Sequence, residues 1–145
     1  MNRQHKRAAL VAQLAKRKED KAAELLGLWR SRVTQQSEQM AELLRYQQAY
    51  LSAAQGAGQT VFELRSNRQF LTQLAGVIEE QQLRLSHMEQ QFSRYSQHWQ
   101  QLHQRRKMLE DYQNRLAIEA SQALDKQWDK LCEELVARNT NNDSP

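Results

Sequence analysis

Residues 71–123 read LTQLAGVIEEQQLRLSHMEQQFSRYSQHWQQLHQRRKMLEDYQNRLAIEASQA, and a seven-residue repeat runs through the whole stretch. Its first seam positions are Leu71, Ile78, Leu85, Phe92, Trp99, Arg106, Gln113 and Ala120. The second set is Leu74, Gln81, Met88, Tyr95, Leu102, Leu109, Leu116 and Ala123. Gly76 is the only glycine inside it, and no proline interrupts it. Such a repeat predicts one long helix with a narrow apolar seam. The seam must meet another helix, because a lone helix would leave it in water.

A weaker repeat precedes this one. Ala8, Ala12, Ala15, Glu19, Ala22, Leu26, Trp29, Val33, Gln36, Met40, Leu43, Gln47 and Tyr50 follow one another at steps of three and four. Between the two repeats stands Gln55-Gly-Ala-Gly-Gln59, whose glycines weaken a helix and permit positive φ. Two capping boxes follow, Thr60-x-x-Glu63 and Ser66-x-x-Gln69, and either can start the second helix. The fold predicted is all-α: two long helices in an antiparallel coiled-coil hairpin, the second the longer. One domain covers residues 1–138, with helix 1 over 5–54, a turn over 55–66 and helix 2 over 67–138. The polar tail 139–145 is expected to be disordered.

Partners across a hairpin have residue numbers that add to a constant, here about 121. This pairs Tyr50 with Leu71, Leu43 with Ile78, Met40 with Gln81, Val33 with Met88 and Trp29 with Phe92. It also pairs Leu26 with Tyr95, Ala22 with Trp99 and Ala12 with Leu109, so the largest side chain meets an alanine. The first helix then runs out near the partner of Asn114. Leu116, Ala120, Leu124, Trp128, Leu131 and Leu135 are expected to continue the stripe without cover from the chain itself. Burial of such side chains is worth about 1.5–3 kcal/mol each, so an uncovered row of them argues for a partner or a second copy. In the same register Arg105, Arg106 and Lys107 approach Lys16, Arg17 and Lys18, forming a basic collar where the overhang begins. The alternative is that this collar is solvated, with Glu19 pairing Arg106.

Composition limits the function classes. Hydrophobic residues make up 39% of the 145, mean hydropathy is −0.91, and the one proline is the final residue. That is too polar for a thick globular core and suits long helices. The net charge of +4 comes from 21 basic and 17 acidic side chains, a balance that leaves nucleic acid unexpected as a partner. Cys132 is the only cysteine, which rules out an intrachain disulfide and suits a reducing compartment. No signal-peptide or membrane-spanning run is found, so only peripheral membrane attachment is open. The histidines (His5, His87, His98 and His103) lack metal-ligand spacing, and no phosphate loop is present. No enzyme activity, metal or cofactor is expected.

Near the turn the residues become specific. Leu43-Leu-Arg-Tyr46-Gln-Gln-Ala-Tyr50 is followed by a short polar loop and by Asn67-Arg-Gln-Phe70-Leu-Thr-Gln-Leu74-Ala-Gly-Val77-Ile78-Glu-Glu-Gln81. Trp99, the basic run Arg105 to Lys107 and the N-terminal Lys18-Glu-Asp-Lys-Ala-Ala-Glu-Leu-Leu-Gly27 complete the pattern. In order and spacing these elements resemble the FliJ family of flagellar type III export proteins over nearly the whole chain.

The resemblance implies a component of the bacterial flagellar export apparatus, serving flagellum biogenesis, motility and chemotaxis. It would be a coiled-coil stalk that binds and stimulates the hexameric export ATPase FliI, links it to the export gate protein FlhA and handles export chaperones. Its place would be cytoplasmic, peripherally associated with the inner face of the membrane. The gate-binding residues implied are Gln39, Leu43, Tyr46, Tyr50, Phe70, Leu74, Val77 and Gln81. Of these, Tyr46 and Phe70 are expected to form an exposed aromatic pair suited to recognition. The ATPase-binding residues implied are Leu116, Leu124, Trp128, Leu131 and Leu135 with Arg105, Arg106, Lys107, Lys16, Arg17 and Lys18. The alternatives are the equivalent stalk of a virulence injectisome and a generic coiled-coil scaffold dimerising through the overhang.

Overall fold

A computed structural model describes residues 3–56 and 58–142. It contains two helices, α1 over Arg3–Ala54 and α2 over Val61–Asn142, of 52 and 82 residues. The second helix is the longer and packs against the first, as the two repeats require. Three boundaries differ from expectation: the first helix starts at Arg3 rather than 5, and both ends of the second move. The second helix starts at Val61 rather than 67, and it runs past 138 to Asn142. Residues 139–142 of the expected disordered tail are therefore helical, while 143–145, like 1–2 and Ala57, lie outside the described residues.

The early start of α2 has a local cause. Of the two capping boxes, the first forms: the Glu63 amide donates to Thr60 Oγ1 at 3.2 Å, and the Thr60 amide donates to Glu63 Oε2 at 3.3 Å. Gly58 holds φ at 96°, a conformation that a Cβ would strain. Gln59 reaches back so that its Nε2 donates to the Ala53 carbonyl at 3.0 Å, covering an end group of α1.

Contacts gather in two units, residues 1–20 with 101–145 and residues 21–100. In the 21–100 unit the core is Met40, Leu74 and Ile78, with Leu43, Phe70 and Leu85 packed against it. Gln36 Nε2 donates to Gln81 Oε1 beside that core, so these two polar seam residues satisfy each other. Trp29 stacks on Tyr95 with centroids 5.6 Å apart, rather than on its expected partner Phe92. Phe92 instead lies beneath the Arg30 guanidinium, 5.9 Å from the ring centroid.

In the unit of 1–20 and 101–145, Ala8, Ala12, Ala15 and Glu19 are buried, and Leu102, Leu109, Gln113, Leu116 and Ala120 are half-buried. Cross-helix pairs lie on both sides of the expected constant: Tyr46–Phe70 and Gln36–Gln81 add to less, Trp29–Tyr95 and Glu19–Arg106 to more. One expectation is corrected. Leu116 and Ala120 are not uncovered, since the helix begins as early as Arg3 and supplies residues such as His5 and Ala9 that are themselves half-buried. The exposed segment begins at Ser121, and every residue from there to Asn142 is exposed.

Candidate partner-binding surfaces

Within the unit of 1–20 and 101–145, the overhang presents Leu124, Trp128, Leu131, Leu135 and Val136, all more than half exposed and Trp128 66% so. The first four recur at three- and four-residue steps, so they line one face of the helix, and Val136 lies to its side. A pocket lined by Val11, Leu14, Ala15, Lys18, Leu102, Arg105 and Leu109 lies between the arms of the same unit. Its floor is apolar and its two charged members are both basic.

The collar divides in two. Lys16, Arg17, Lys18, Arg105 and Lys107 are exposed. Arg106 turns inward, where its Nε donates to Glu19 and its Nη1 pairs with Glu110 at 2.8 Å. His103 Nδ1 donates to the other Glu19 oxygen at 2.7 Å. Burial alone would push the Glu19 carboxyl up, but the hydrogen bonds from His103 and Arg106, together with their charges, outweigh it and hold the group below its ordinary value near 4.5. The Glu110 and Glu19 carboxylates raise Arg106 further above its already high value. Arg106 thus fills a seam position by neutralising a buried carboxylate, which sets it apart from the five exposed cations.

In the unit of 21–100, a groove is lined by Gln39, Glu42, Leu43, Tyr46, Val77 and Gln81. It gathers five of the eight gate-binding residues that the resemblance implied, and adds Glu42. Tyr50 and Phe70 lie next to it: their centroids are 4.4 Å apart, and Tyr46 stands 6.2 Å from Tyr50 and 6.3 Å from Phe70. The expected exposed pair is corrected here. Tyr46 is 56% exposed, whereas Phe70 is half-buried, held against the core and Tyr50. Leu74 is buried outright and positions its neighbours from within. Sequence reasoning missed Glu42, an exposed residue one position before the Leu43 motif.

The family model for the flagellar FliJ protein matches residues 5–144. The chain belongs to the flagellar FliJ family. It is accordingly a protein associated with flagellar protein export. No curated protein and no solved structure matches it. Among the described residues, no helix of this FliJ-family chain is long and apolar enough to cross a membrane.

Proposed function

We propose that this FliJ-family chain is the coiled-coil stalk of the flagellar export apparatus, engaging the hexameric export ATPase FliI through its overhang. The observation that carries the reading is the uncovered row Leu124, Trp128, Leu131 and Leu135, in the same unit as the exposed cations Lys16, Arg17, Lys18, Arg105 and Lys107. A helix with that much apolar surface on one face is built to be enclosed, and a ring whose rim carries acidic groups would meet the collar. The groove formed by Gln39, Leu43, Tyr46, Val77 and Gln81, with Tyr50 and Phe70 beside it, is the surface offered to the export gate protein FlhA. Handling of export chaperones belongs to the same export role, and membrane association is peripheral, through the gate.

The test is ATP turnover by purified export ATPase with and without this protein. Stimulation is expected, and Trp128→Asp should weaken it by roughly tenfold or more in half-maximal concentration while leaving helical content unchanged. A stable homodimer in light scattering together with no stimulation would instead make the chain a dimeric scaffold.

A further inference from the structure

The start of α2 carries a second exposed apolar surface that neither partner accounts for. Phe62 is 78% exposed, Val61 69% and Leu64 48%, and Leu51 on the other side of the turn is 38% exposed. Arg65 follows Phe62 and Val61 by three and four residues, Arg68 comes three residues later on the Val61 face, and both arginines are exposed. Between Glu42 and Glu79 the sole acidic residue is Glu63, and its carboxylate is committed to the Thr60 cap. Arg45, Arg65 and Arg68 therefore leave this part of the 21–100 unit net positive.

We propose that this turn docks onto an anionic lipid surface, Phe62 and Val61 entering the interface while Arg65 and Arg68 meet lipid phosphates. Charge complementarity argues for this occupant: two arginines flank an apolar point whose one carboxylate is engaged elsewhere, the combination that favours anionic bilayers. The apolar residues open α2 directly after the chain reversal at Gly58, and Phe, Val and Leu beside arginines at a helix start is the pairing that an interfacial helix uses. Insertion is confined to the interface, since no described helix can span a bilayer. The proposal is independent of the ATPase reading.

Co-sedimentation of the full chain with phosphatidylcholine vesicles, with and without phosphatidylglycerol, tests it. Binding is expected to the anionic vesicles alone and to fall as salt is raised. A double variant, Val61→Ser with Phe62→Ser, should lose roughly fivefold to tenfold in partitioning with its circular dichroism unchanged. Arg65→Gln with Arg68→Gln should erase the preference for anionic vesicles. A further pair, Leu124→Ser with Trp128→Ser, should bind as the parent does. The proposal is overturned if the parent fails to bind anionic vesicles, which would assign the surface to a protein. It is equally overturned if the Val61/Phe62 variant binds undiminished, or if the Leu124/Trp128 variant is the one that loses binding.

Discussion

Glu19 occupies a seam position where every neighbour in the repeat is an alanine, and it is buried there. Such a carboxylate is tolerable only if its oxygens are satisfied, and His103 and Arg106 provide the donors from across the seam. The repeat alone made Arg106 either a collar cation or a partner of Glu19. It is the partner, and the two readings were separable only by geometry, since both place Arg106 at the same end of the seam. Because the folded-state pKa of Glu19 lies below its ordinary value near 4.5, the contact stabilises the fold fully above that value. The contribution is lost as pH falls through the lower folded value. Glu19→Gln should cost about 1–2 kcal/mol near neutral pH and progressively less under more acidic conditions. Urea unfolding of both proteins across that range would measure this, and a pH-independent difference would show that the charge contributes nothing.

The two helices were legible because the apolar repeat is so regular that every seam position from Leu71 to Ala120 is buried or half-buried, and only Ala123 is exposed. The start of α2 was not, because two capping boxes lie six residues apart and both satisfy the same pattern. What decides between them is the turn: Gly58 at positive φ and the Gln59 side chain on the Ala53 carbonyl reverse the chain early enough for Thr60 to act as the cap. Assigning 61–66 to the turn also hid Val61, Phe62 and Leu64 as helix residues with exposed faces. Of the gate-side residues, Leu43, Tyr50 and Leu74 could be placed by the repeat, whereas Phe70 needed the packing of Tyr50 against it to be seen as half-buried. Two glycines give opposite expectations at this scale. Gly76 lies mid-helix with open space where a methyl group would sit, so Gly76→Ala should stabilise the fold by about 0.5–1 kcal/mol. Gly58→Ala forces a side chain into positive φ and should destabilise it by about 1 kcal/mol. Thermal unfolding of the two variants should shift in opposite directions; shifts of the same sign would contradict the backbone assignment.

The unequal lengths of α1 and α2 divide the long helix into a part that stabilises the fold and a part that does not. Up to Ala120, residues of α2 at the seam are buried or half-buried; from Ser121 to Asn142 none is. Burial is what converts apolar area into stability, so the exposed part adds helix without adding folding free energy beyond its own propensity. Deleting residues 121–145 should therefore leave the thermal midpoint within about 3 °C of the parent. Deleting residues 3–15 should do the reverse. It removes Ala8, Ala12 and Ala15, uncovers Leu109 and Leu116, and lowers the midpoint by more than about 5 °C. Calorimetry of the two truncated chains makes the comparison, with circular dichroism confirming that each remains helical. If the chain lacking 121–145 melted as early as the one lacking 3–15, the overhang would have to be packed in solution. An apolar row already covered in that way would no longer be available to a partner.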